Sequence, residues 1–144
     1  MIESYHLRFM QQLGRSYRSF IAAFEAHTGQ SMARWRILIL LDRWGETSQK
    51  LLARELGIDP AALTRQIKAL ELEGAVQRRN DAKDARLINV ALTEKGRDTV
   101  KSTMARRNEY IEWALGDMTE SELEAVSDML LKLEKRLSDR SVPS

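Results

Sequence analysis

Cysteine is absent from this 144-residue chain, which excludes a disulfide framework, a thiolate zinc site and a thiol redox sensor. No apolar run approaches the roughly 20 residues that a helix needs to cross a bilayer. Glu3, His6 and Arg8 come early, unlike the start of a secretory signal. There is no internal repeat and no low-complexity linker. A Gly-rich phosphate loop, paired carboxylates flanked by turn signals and a serine in a nucleophile context are all missing, so an enzyme is the weakest class. His6 and His27 have no His, Cys or carboxylate at ligand spacing, which argues against a metal site; no cofactor is expected.

Apolar residues make up 43% and charged residues 31% of the chain, so it should fold and stay soluble, with no membrane partner, as one compact domain or two small lobes. A cytoplasmic, nucleoid-associated location is expected. The net charge is only +2, but it is unevenly spread. Residues 1–44 hold six arginines against three acids, and residues 116–144 hold seven acids against four bases.

Leu7, Met10, Gly14, Tyr17, Phe20, Ile21 and Phe24 recur at helical spacing and indicate a long first helix. "HTGQS" ends it: Gly29 suits a left-handed stop and Ser31 can cap the next helix. That helix, "SMARWRILILLDRW", is apolar nearly all round and should be deeply buried. After Gly45, Ser48 can cap a short helix carrying Leu51, Leu52 and Leu56. Gly57 permits a sharp turn, Asp59 is a good cap, and Pro60 is a good first residue for a further helix ending at Gly74. Two short helices across a tight turn read as a helix-turn-helix. "VQRRN" and "RLINVAL" read as two strands joined by the polar loop "DAKDA". Thr93 can cap a long helix running to about Leu115 and stopped by Gly116. "TESE" is a capping box. The last helix carries Leu123, Val126, Leu130, Leu133 and Leu137 at three-four spacing, and "SDRSVPS" should fray.

On the helix after Asp59, Leu63, Ile67 and Leu70 form one stripe and must face the core. Ala61, Thr64, Arg65 and Lys68 fall roughly opposite. Small residues followed by cations suit entry into a DNA major groove, where a guanidinium can read guanine O6 and N7. Arg79, Lys83 and Arg86 surround the hairpin turn and could enter a narrow minor groove; Asp84 could pair with Arg86 and fix its direction. The same features also fit a helical module that binds protein, although cations on both helix and hairpin favour DNA.

The succession of elements resembles the MarR family of transcriptional regulators over nearly the whole chain. "DARLINVALTEKG" is the most specific part, and "LARELGIDPAALTRQIKALELEGAV" matches the DNA-reading unit. In detail, including Arg65, the chain is most similar to the SlyA branch. The resemblance implies a mainly α fold with a small β-hairpin wing. Residues 31–93 would form a winged helix-turn-helix, and residues 1–30 and 94–144 a helical dimerisation region. It implies an obligate homodimer, acting as a repressor or anti-silencer on a pseudo-palindromic duplex. Arg65 would contact the major groove, with Thr64 and Lys68 beside it. Arg86 would enter the minor groove, and Ser48 and Gln49 would meet phosphates. The dimer would be built on Leu7, Met10, Leu123, Val126, Leu130, Leu133 and Leu137, since the terminal stripes carry more apolar surface than a lone helix hides. A small aromatic or lipophilic anion could bind among Leu13, Arg15, Tyr17, Trp35 and Arg36; for Trp35, plain core packing is the competing reading. Met32 and Ala33 stand where relatives often carry hydroxyl residues, which leaves the ligand class open.

Overall fold

The structure, a computed structural model, describes residues 4–139. In chain order the elements are α1 (Ser4–Thr28), α2 (Met32–Trp44), β1 (Thr47–Ser48), α3 (Gln49–Leu56), α4 (Pro60–Leu72), β2 (Val76–Asn80), β3 (Ile88–Leu92), α5 (Glu94–Leu115) and α6 (Glu120–Ser138). The chain separates into two compact units, the first running to Tyr110 and the second beginning at Ile111. This division lies inside α5. The cause is packing: Gly96, Val100, Thr103 and Tyr110 of α5 are buried within the first unit.

The helix boundaries follow local chemistry. Ser31, Ser48 and Asp59 accept backbone N–H bonds from Arg34, Leu51 and Ala62 and so satisfy the free donors at the starts of α2, α3 and α4. Pro60 occupies the first turn of α4, where its missing N–H costs nothing. Gly57 closes α3 in the left-handed region at φ 64°, which turns the chain sharply between the two helices of the motif. Thr119 and Glu122 form the reciprocal capping box of α6. The tail expected to fray lies, from Arg140 on, outside the described residues.

The first unit is built on Ile37, Leu38, Leu52, Leu63, Ile67, Leu70 and Val90, all at or near zero exposure. Burying each such side chain is worth about 1.5–3 kcal/mol. Only one side of α2 meets this core. Trp35, Ile37, Leu38 and Leu41 are buried, but Trp44 is 45% exposed, so the burial expected all round the helix holds for one face.

The wing is a three-stranded antiparallel sheet in the order β1-β3-β2 rather than a two-stranded hairpin. Thr47 and Ser48 pair with Val90 and Asn89; two residues are too few to show an alternating pattern. The strand expected from Arg86 begins instead at Ile88. The Arg86 and Leu87 amides donate to Asp84, to its Oδ1 and its carbonyl, and these turn bonds compete with the ladder.

The second unit pairs the end of α5 with α6. Among its described residues none of α6 is buried. Val126, Met129, Leu130, Leu131 and Leu137 are 42–66% exposed.

Candidate nucleic-acid interface

α4 presents the face expected of it. Leu63, Ile67 and Leu70 anchor it inward, while Ala61, Arg65 and Lys68 are exposed. Thr64 is different. Its hydroxyl donates to the Pro60 carbonyl at 3.0 Å and accepts from Gln49 Nε2 at 3.2 Å. The two residues expected to touch DNA therefore hold each other, clamping the start of α3 to the start of α4. Gln49 Oε1 is buried with no protein partner. Ser48 uses its hydroxyl as the cap of α3. Gln49 thus ties α3 to α4 while Ser48 caps α3, and Ala61, Arg65 and Lys68 form the outward surface of the motif.

The wing tip is ordered by two carboxylates. Asp81 accepts from the Lys83 and Asp84 amides at 2.8 and 3.0 Å and from Asn89 Nδ2 at 2.9 Å. Asp84 accepts from the Arg86 backbone at 3.0 Å and from its Nε and Nη2 at 3.1 and 3.3 Å. This two-point contact fixes the plane of the guanidinium, yet the Arg86 side chain remains 90% exposed. The pairing foreseen between Asp84 and Arg86 is present. The Asn89 amide, then the Lys83 and Asp84 N–H groups, hold the Asp81 carboxyl below its ordinary value. The Arg86 side chain, then its backbone N–H, does the same for Asp84. Lys83 is exposed at the tip.

Paired residues on neighbouring strands point to the same side of a sheet. Arg79, Asn89 and Ser48 share one row, and Arg78, Val90 and Thr47 the next. Val90 and Thr47 are buried, so the Arg79 row faces outward. Arg79 does not stand free there: its Nε pairs with Glu46 Oε1 at 2.5 Å. Arg78, in the inner row, donates backbone and side-chain N–H bonds to Glu71 and ties the wing to α4. Sequence reasoning missed Glu46, Arg78, Asp81 and Asn89. The signal for Asn89 was present, as a polar residue inside an alternating strand; the partners of Glu46 and Arg78 are set by tertiary contact.

A model of the MarR family matches residues 31–88, from the cap of α2 to the first residue of β3. The Bacillus subtilis HTH-type transcriptional regulator YdgJ is 34% identical over 116 residues, spanning 81% of this chain and 71% of that protein. The chain belongs to the MarR family. A probable transcriptional regulator from Pseudomonas aeruginosa superposes with a TM-score of 0.76 at 26% identity, covering 84% of this chain and 92% of the other. BpsR of Bordetella bronchiseptica, whose DNA binding is regulated by 6-hydroxynicotinic acid, superposes with a TM-score of 0.76 at 22% identity, covering 88% and 98%. The fold is the MarR-type winged helix-turn-helix, and the chain is a DNA-binding transcriptional regulator rather than an enzyme. Members of this family bind DNA as dimers.

The five residues expected to line a MarR-type ligand pocket have separate surroundings. Trp35 is 5% exposed and packs against Phe24 with ring centroids 6.3 Å apart. Arg36 Nη2 donates to the Leu56 carbonyl at the end of α3, a helix C-terminus that favours a cation. Arg15 binds Gln12 on its own helix. Tyr17 is 64% exposed and Leu13 half-buried. A cavity of about 650 Å³ between α5 and α6 is lined by none of them. Sequence reasoning missed Arg107, whose guanidinium lies 5.8 Å from the Trp35 ring centroid and whose Nε is buried without a protein partner.

Among the described residues no group of three or more His, Cys, Asp or Glu is placed to hold a metal ion, and no helix is long and apolar enough to cross a membrane.

Proposed function

We propose that two copies of this chain bind a pseudo-palindromic duplex, each with α4 in the major groove and its wing tip in the adjacent minor groove. The observation that carries this reading is Arg86: an almost fully exposed guanidinium, held in one orientation by Asp84, on the same unit as the outward cations Arg65 and Lys68. An exposed but pre-oriented arginine loses little freedom on entering a groove whose potential is strongly negative. Lys83 beside it serves the backbone. We further propose a place in the SlyA branch, supported in part by Arg65 in the reading helix.

The apolar surface supports the dimer. Leu7, Met10, Tyr17 and Phe20 of α1 and Val126, Leu130 and Leu137 of α6 are each more than 40% exposed, and Leu123 and Leu133 are half-covered. Such faces mark a protein–protein interface. Residues 1–30 and 94–144 then form the dimerisation region and residues 31–93 the reading region. A two-fold axis sets the two α4 helices about one DNA turn, roughly 34 Å, apart. The protein acts in the cytoplasm, on the nucleoid, as a repressor or anti-silencer. A small aromatic or lipophilic anion releases it, held where Arg107 stacks on Trp35: the unpartnered Nε offers a donor to a carboxylate beside an aromatic wall. The regulation of BpsR by an aromatic acid fits this chemistry.

Selection of bound sequences from a random duplex pool tests the reading. An enriched inverted repeat is expected; recovery of no common sequence, or of a single half-site, overturns it. Thermal shift with 6-hydroxynicotinic and benzoic acids tests the ligand, with stabilisation expected to vanish in Arg107→Ala.

A further inference from the structure

Arg79, one of the cations expected to meet DNA, forms an outward ion pair with Glu46. Arg79 shares its row with Ser48, and Ser48 caps α3. An exposed guanidinium in that outward row, on the same face of the sheet as the cap of α3, is placed to neutralise a phosphate. Glu46, in the turn before β1, occupies its Nε instead. Both side chains reach solvent, Arg79 at 60% and Glu46 at 35% exposure.

We infer that Glu46 competes with the DNA backbone for Arg79 and so holds the affinity of this protein below what its cations could reach. The inference rests on the DNA-reading role proposed above. While Arg79 is paired, its charge is cancelled locally and releases no counterion from DNA. Glu46 holds the Nε edge of the guanidinium, so a phosphate approaching its free amino groups meets the repulsion of the neighbouring carboxylate unless the pair opens. Exposed pairs of this kind are weak enough to be broken on binding, so the device tunes affinity rather than blocking it.

The test measures binding of the full-length protein to its selected duplex between 50 and 200 mM salt. Glu46→Gln keeps the size of the side chain and one acceptor oxygen and removes its charge. It should tighten binding about 4- to 25-fold per dimer at the low-salt end, two- to fivefold for each protomer. The salt slope should steepen by about 1.8, or 0.9 for each phosphate newly neutralised. In an Arg79→Ala background the same change should give less than half of that gain. An equal gain in both backgrounds would mean that only overall charge matters and would overturn the inference. So would unchanged or weaker binding by Glu46→Gln, which would make Glu46 a support for Arg79. Arg86→Ala, measured alongside, separates the two ideas: if it too leaves binding unaltered, the DNA-reading role itself fails, and the inference with it.

Discussion

Gly96 lies so close to Ala75 that a β-carbon on it would stand 2.0 Å from the Ala75 carbonyl oxygen. Around this contact, Thr93 donates its amide to the same carbonyl and its hydroxyl to the Gly74 carbonyl, while accepting from the Gly96 amide. The segment "LTEKG" is therefore a weld. It fastens the start of α5 to the turn between α4 and β2, and so holds the reading helix and the wing on one frame.

Replacing Gly96 with alanine should break this weld. The neighbour is backbone and cannot swing aside, so the helix must shift. A loss of about 1–3 kcal/mol or more is expected, despite the better helix propensity of alanine. Urea or thermal denaturation measures it; a variant as stable as the parent would show that α5 is not fixed at this point.

Arg65→Ala should cost about 1–3 kcal/mol in specific binding and relax base preference at one position of each half-site. Binding titrations against single-base variants of the site check this. A uniform loss across all variants would make Arg65 a phosphate contact instead.

Arg86→Ala should weaken binding most where the flanking minor groove is narrow and rich in A·T pairs. Because Asp84 acts through Arg86, Asp84→Ala should produce the same flank dependence in milder form and add little to Arg86→Ala. Affinities on duplexes differing only in their flanks decide it; losses independent of the flank contradict the minor-groove placement.

Leu130→Asp should leave the protomer folded and abolish the dimer. Leu130 is 42% exposed within one chain, so a carboxylate there stays solvated until a second copy covers it. Buried without a partner, it costs several kcal/mol. Light scattering reads the mass and circular dichroism the fold; an intact dimer removes Leu130 from the interface.

The wing should keep its order well into acid. Asp81 and Asp84 are both held below ordinary carboxylate values by bonds that only the folded wing provides. With folded values depressed, their contribution is fully present above the unfolded value of about 3.9 and is lost as pH falls through the lower folded values. The side-chain amide of Asn89 and the Nε–H of Arg86, followed by NMR, should keep their folded shifts at pH 5 and change only below about pH 4. A midpoint above pH 5 would contradict these bonds.

What was legible in the sequence was whatever depends on neighbours along the chain. The caps at Ser31, Ser48, Asp59 and Thr119, the stop at Gly57, the stripe of Leu63, Ile67 and Leu70 and the Asp84–Arg86 pair all join residues within a few positions of one another, where helix and turn periodicity fix the geometry. Tertiary structure alone decided the rest. β1 exists because Val90 and Asn89 offer it a ladder. Gln49 and Thr64 meet because Gly57 folds α3 against α4. Arg79 is drawn to Glu46 across 33 positions, and Arg107 to Trp35 on a different helix. Charge and periodicity mark such residues as candidates, but only the path of the chain determines which of them come within reach of one another.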